Sequence, residues 1–88
     1  MLPDTIEIIM AYMFSGSGVK HIRLPQSIKA IVGGAFRRCS ELTAIYYDGT
    51  VEQWHEIIKN PEWDAETGDY VVICSDGTLT KEQANDTA

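Results

Sequence analysis

Cysteine is scarce: the 88 residues contain two, Cys39 and Cys74, far apart and not at C-x-x-C spacing. That excludes a disulfide framework. Histidine is as rare, and His21 and His55 do not form an H-x-x-x-H pair, so the possible soft ligands His21, His55, Cys39 and Cys74 lack the spacing of a zinc site. No apolar run approaches the ~18 residues of a membrane span. Met1-Leu2-Pro3-Asp4 carries neither the basic nor the apolar segment of a signal peptide. The simplest expectation is a reduced, cytoplasmic setting without membrane association, or a surface or secreted location if the chain is a fragment of a longer protein. No nucleophile elbow or phosphate-cradling glycine loop frames a catalytic residue. Asp64, Glu66 and Asp69 fall close together but lack the glycine and closing glutamate of an EF-hand. Seven basic residues against thirteen acids, net charge −6, disfavour direct nucleic-acid binding. These gaps leave a non-enzymatic chain for which no cofactor or metal is expected.

What the chain does have is self-similarity. Leu2-Pro3-Asp4-Thr5-Ile6-Glu7-Ile8-Ile9 leads to Phe14, and Leu24-Pro25-Gln26-Ser27-Ile28-Lys29-Ala30-Ile31 leads to Phe36, at an offset of 22. A period in the low twenties is that of a leucine-rich-repeat solenoid. Val19, Ile22 and Leu24 then match Leu42, Ile45 and Tyr47 as L-x-x-L-x-L, the strand of such a repeat. Period-two alternation sends Ile22, Leu24, Ile45 and Tyr47 inward and Arg23 and Tyr46 outward. Pro25 ends the first strand, and Gly16, Gly18, Gly33 and Gly34 suit tight corners.

The pattern Leu24-Pro25, Ile28 to Ile31, Ala35-Phe36, Cys39-Ser40, Leu42 to Ile45 resembles the BspA-like (bacterial surface antigen) class of leucine-rich repeats. The run from Ile45 through Asp48-Gly49-Thr50 to Gln53-Trp54 is similar to that family's closing segment. The resemblance spans roughly residues 2–80 and implies a short solenoid that binds proteins.

The closing half reads differently. Thr50-Val51-Glu52-Gln53 is a capping box, and Val51, Trp54, Ile57 and Ile58 recur at helical spacing, giving a helix over roughly 50–59 that Asn60-Pro61 stops. Residues 61–69 read as a loop anchored by Trp63, and Tyr70–Cys74 as a strand. Asp76-Gly77 marks a hairpin turn back through Thr78–Thr80. The expected class is therefore α+β and β-rich: one leucine-rich-repeat domain over 1–80, with two repeats in 1–47 and a helix-and-hairpin cap in 48–80. Residues 81–88 show no apolar periodicity and are expected to form a disordered tail.

Charge divides along the same line. Residues 1–47 carry five basic residues against three acids, and residues 48–88 two lysines against ten acids. Two binding surfaces follow. One is the outward row of the repeat strands, Lys20, His21, Arg23, Thr43, Ala44 and Tyr46, in which Tyr and Arg are the types favoured at interface hot spots. The other is the acidic loop Glu62, Asp64, Glu66 and Asp69, which suits a small phage or mobile-element inhibitor of the anti-CRISPR kind, occupying a basic nucleic-acid groove of a host effector. A third expectation concerns the N-terminal end of the stack, where no capping segment is visible. Ile6, Ile8, Ile9 and Phe14 would be partly exposed there, and the first long strand would lack a neighbour, which favours a twofold homodimer.

Overall fold

Apolar residues at a 22-residue spacing bury their side chains only if successive turns of chain stack in register. The computed structural model describes residues 5–85 and has this arrangement. Each coil contributes a two-residue strand, a corner and a four-residue strand. The short strands β1 (Ile8–Ile9), β3 (Ala30–Ile31) and β5 (Ile58–Lys59) form one parallel sheet in the order β1-β3-β5. The longer strands β2 (His21–Leu24), β4 (Ala44–Tyr47) and β6 (Val71–Cys74) form the opposite wall. It is extended by the antiparallel β7 (Gly77–Thr80), giving the order β2-β4-β6-β7. Ile22 stands beside Ile45, and Ile45 beside Val72, as one inward rung across the three coils.

The two-repeat expectation is thus corrected to three stacked coils. The third escapes a search at an offset of 22 because a helix, α1 (Val51–Glu56), is inserted between β4 and β5. Backbone conformation exposes the true register. Tyr12, Gly34 and Glu62 occupy one corner position and Gly16, Arg38 and Glu66 another, and all six have φ between +59° and +79°. From the first to the second coil these positions lie 22 residues apart; from the second to the third the spacing grows by six, the length of α1. Backbone bonds between the corners repeat in step: Phe14 N–H donates to Ala35 O, and Phe36 N–H to Trp63 O.

Helix α1 is shorter than the expected 50–59. Its capping box is present in full: Thr50 Oγ1 accepts from Gln53 N–H, and Gln53 Oε1 accepts from Thr50 N–H. Ile57 turns extended, and Ile58 leaves the helix for β5 with its side chain in solvent. The next residue, Lys59, takes the inward place that Ile9 and Ile31 hold in the coils above. Its ammonium donates to Trp54 O at 2.9 Å and Ile57 O at 3.0 Å, and sits 4.9 Å from the Trp54 ring centre. The lysine thereby adds a second donor to the Trp54 carbonyl, which already accepts from Ile57 N–H, and bonds the Ile57 carbonyl at the end of the helix. Burial pulls its pKa down to about 8.

Aromatic rings run through the core from coil to coil. Phe14 stacks on Phe36, Phe36 meets Trp63 edge-on, and Trp63 touches both Trp54 and Tyr70. Trp54 is fully buried and Trp63 2% exposed, so the loop over 61–69 is anchored where the sequence suggests. His55 is half-buried on α1. Cys39 and Cys74 are buried, unpaired thiols, and Cys39 Sγ donates to the carbonyl of Phe14.

The expected disordered tail is also corrected. Thr80-Lys81-Glu82-Gln83 is a second Thr-x-x-Gln box, and it caps a short helix, α2 (Lys81–Ala84). Ala84 is fully buried, and its carbonyl accepts from Trp54 Nε1 at 3.0 Å. Asn85 Oδ1 accepts from Trp63 Nε1 at 2.8 Å, and Asn85 Nδ2 donates to Asp64. The tail thus closes the C-terminal end of the aromatic core. The remainder of the expected tail, residues 86–88, and the start of the first repeat, Leu2-Pro3-Asp4, lie outside the described residues.

Candidate protein-binding face

Strand alternation places one set of side chains of the larger sheet on its solvent side. Register sorts them into two rows. One runs His21, Ala44, Val71, Thr80; the other runs Arg23, Tyr46, Ile73, Thr78. The sheet face is therefore apolar in its middle, with Tyr46, Val71 and Ile73 around Ala44, which was expected outward but is only 6% exposed, and polar at both flanks. Tyr46 is 40% exposed, and the His21 ring meets it edge-on at 6.0 Å. Beside Tyr46 opens a groove of about 500 Å³ lined by Arg23, Tyr46, Tyr47, Asp48, Ile73, Cys74 and Ser75. Arg23 Nε donates to Asp48 Oδ1 at 3.0 Å, so the rim of the groove is a paired charge. Desolvation raises the Tyr47 hydroxyl above its ordinary pKa, as it does the Cys74 thiol. Both stay neutral, and the groove floor carries no charge of its own.

Of the residues expected on this face, His21, Arg23 and Tyr46 come together. Lys20 and Thr43 sit just before β2 and β4, exposed, where Thr43 N–H and Oγ1 both donate to Lys20 O. Thr43 is thus committed to joining two coils. Val71, Ile73 and Asp48 were missed. Their signal was present, because Tyr70–Cys74 alternates as β4 does, but reading it requires knowing that β6 pairs with β4 at Tyr46 and Ile73.

The acidic loop forms the corner of the third coil, and half of it is spent on the fold. Asp64 Oδ2 accepts from Tyr70 Oη at 2.7 Å and from Asn85 Nδ2 at 3.1 Å. Burial, followed by the neighbouring Asp64 carboxylate, pushes the Tyr70 hydroxyl far above its ordinary pKa. Glu66 bridges to Arg38 at 3.1 Å and Arg37 at 3.4 Å. The hydrogen bond from Arg38, together with both guanidinium charges, holds its carboxyl below the usual range. Glu62 and Asp69 are exposed. Among the described residues no group of three or more His, Cys, Asp or Glu is placed to hold a metal, and no helix is long and apolar enough to cross a membrane.

The profile of the BspA type leucine rich repeat region (6 copies) matches residues 1–58. The chain belongs to this family. The match takes in the first two coils and α1, while the rest of the third coil and the β7–α2 closure lie beyond it. Within the BspA-type pattern, Leu24-Pro25, Ala35-Phe36 and Leu42 are buried core positions; of the candidate face, His21, Arg23, Ala44 and Tyr46 fall within the matched residues, and Val71 and Ile73 lie beyond them. Searches of curated proteins and of solved structures gave no match.

Proposed function

We propose that this BspA-type chain is a non-enzymatic protein-interaction module whose binding surface is the solvent side of the β2-β4-β6-β7 sheet. What supports this reading is the apolar strip of Ala44, Tyr46, Val71 and Ile73 beside the groove, between Arg23 and Asp48 on one flank and threonines on the other. A central aromatic in an apolar patch with a polar rim is the anatomy of a protein interface. Leucine-rich repeats supply such surfaces because outward residues change without disturbing the stacked core.

The alternative, an acidic inhibitor of the anti-CRISPR kind, draws support only from Glu62 and Asp69 and the general negative charge, since Asp64 and Glu66 already have internal partners. The test is affinity for a crosslinked and identified partner, measured by calorimetry. Tyr46→Ala is expected to cost about 2 kcal/mol, roughly thirtyfold in Kd, with Glu62→Lys and Asp69→Lys near neutral. If the two reversals abolish binding, salt weakens it steeply and Tyr46→Ala leaves it unchanged, the face reading fails and the inhibitor reading stands.

A further inference from the structure

The groove beside Tyr46 has two walls of unlike chemistry. One wall belongs to the sheet face, where Tyr46 of β4 stands beside Ile73 of β6. Tyr46 is partly open to solvent and Ile73 is half-buried, so this wall offers apolar surface. The other wall is Asp48 and Ser75, which follow β4 and β6 directly and are exposed. Tyr47 and Cys74, buried between the walls, form the floor. Backbone bonds hold the polar wall in place. Asp48 N–H donates to Leu24 O, Ser75 N–H donates to Gly49 O, and Asp76 Oδ1 accepts from Val51 N–H. The bridge from Arg23 to Asp48 Oδ1 spans the two walls and closes the end nearest β2. Among the described residues, Asp48 Oδ2 and Ser75 Oγ carry no hydrogen bond.

We propose that this groove takes one bulky uncharged side chain, leucine, methionine or phenylalanine, from an extended segment of a partner protein, whose main chain donates an N–H to Asp48 or Ser75. The inference rests on the reading of the sheet face as a binding surface and names what that surface receives. Width selects the extended segment. Tyr46 and Asp48, like Ile73 and Ser75, are two positions apart in the chain, so the rise of a strand sets the walls about 7 Å apart. A helix with its side chains is roughly 10–12 Å across and cannot enter. Charge selects the side chain. Arg23 and Asp48 neutralise each other, and Tyr47 and Cys74 leave the floor neutral. A cationic or anionic side chain would give up its hydration there and meet no unpaired counter-charge.

The two walls divide the contacts. Tyr46 and Ile73 bury the apolar side chain, and an aromatic occupant meets the Tyr46 ring. Asp48 Oδ2 and Ser75 Oγ are acceptors, which match the N–H groups of a main chain; a carboxylate acceptor makes the stronger bond of the two. The groove runs from Arg23 toward Ile73, across the strands. The bound segment therefore crosses the sheet and adds no strand to its edge. Because the polar wall is already fixed by Ser75 and Asp76, little ordering of this chain opposes binding. One anchored side chain gives weak affinity, and a tight partner extends its contact along Val71 on the same face.

Blocked tripeptides test this, with amide shifts of the isotope-labelled chain followed by nuclear magnetic resonance. The probes are acetylated and amidated Ala-Phe-Ala, Ala-Leu-Ala, Ala-Lys-Ala and Ala-Glu-Ala. The phenylalanine and leucine peptides should shift the amides of Tyr46, Tyr47, Asp48, Ile73, Cys74 and Ser75 and saturate in the millimolar range. The lysine and glutamate peptides should bind roughly tenfold more weakly or not at all, and added salt should leave that order unchanged. Ser75→Trp, which fills the groove from an exposed turn, should remove the shifts. Absence of shifts at these residues with every peptide, or preference for a charged one, overturns the proposal. The titration uses the unmodified chain, so it decides the matter even if Ser75→Trp does not fold. Ser75→Trp measured against the crosslinked partner separates this inference from the reading beneath it. If Tyr46→Ala weakens that complex and Ser75→Trp does not, the face stands and the groove proposal fails. If neither weakens it, the face reading itself fails.

Discussion

At the scale of single residues, the corners carry most of the strain. Two positions per coil are left-handed, and four of the six are held by residues other than glycine: Tyr12, Arg38, Glu62 and Glu66. Each such residue costs on the order of 1–2 kcal/mol. Arg38 and Glu66 recover part of this by bridging to each other across the second and third coils. Glu62 is exposed and makes no side-chain bond among the described residues. Glu62→Gly should therefore raise stability by about 0.5–1 kcal/mol, the strain relieved less the extra freedom of glycine in the unfolded chain. The equivalent Gly34 predicts the opposite sign. At φ +79° a Cβ there would lie 2.8 Å from Cε1 of Tyr12, and Gly34→Ala should cost more than Glu62→Gly gains. Urea denaturation of the two variants beside the parent chain checks both signs.

At the scale of elements, legibility followed how local the determinant was. The Thr50–Gln53 capping box is a four-residue pattern, and the hairpin at Asp76-Gly77 needs little more, so those elements can be read without knowing their surroundings; the Thr80–Gln83 box is equally local, but it stands in a segment without apolar periodicity, and a tail was expected there in place of α2. The end of α1 could not. Ile57 and Ile58 continue the helical apolar spacing of Val51 and Trp54. Yet Ile58 N–H donates to Lys29 O, and β5 completes the small sheet. Ladder bonds to a strand nearly thirty residues earlier outweigh one more turn of helix. The helix itself serves as a wedge carrying Trp54 beneath Tyr47 and against Trp63. Trp54→Ala should cost on the order of 3–5 kcal/mol, since it empties a fully buried site and leaves the Ala84 carbonyl without its donor. A loss below about 1 kcal/mol in reversible denaturation would contradict that role.

At the scale of the whole molecule, buried ionisable groups pull stability in opposite directions with pH. Lys59 has its pKa lowered from 10.5 to about 8. Between those values the unfolded chain holds a proton that the folded chain has released, so stability rises with pH. The thiols of Cys39 and Cys74 and the hydroxyls of Tyr47 and Tyr70 are all raised by burial. Above their ordinary values of 9.0 and 10.0 the folded chain keeps protons that the unfolded chain loses, so stability falls with pH. The expected profile climbs above pH 8 and turns over as the thiols and then the tyrosines come into range. Lys59→Met should lose the climb and keep the fall. Denaturant midpoints across pH 7.5 to 10.5 test this, and an unchanged climb in Lys59→Met would place its origin elsewhere.

Periodicity of 22 and strand alternation were enough to specify the class of fold, the inward ladder from Leu24 and Phe36 to Ile45 and Tyr47, and the outward placement of Arg23 and Tyr46. Those patterns repeat within one coil's length of chain, and burial of apolar surface enforces them wherever they occur. The third coil, the joining of Val71 and Ile73 to the candidate face, the diversion of Asp64 and Glu66 into internal pairs, and the docking of α2 depended on the folded chain. Each needs residues brought together across an insertion that breaks the period, or across contacts such as Trp63 to Asn85 that leave no local spacing. Whether a carboxylate such as Glu66 is free to meet a partner was decided by where the stack set Arg37 and Arg38, because pairing is a matter of distance in space and not of position along the chain.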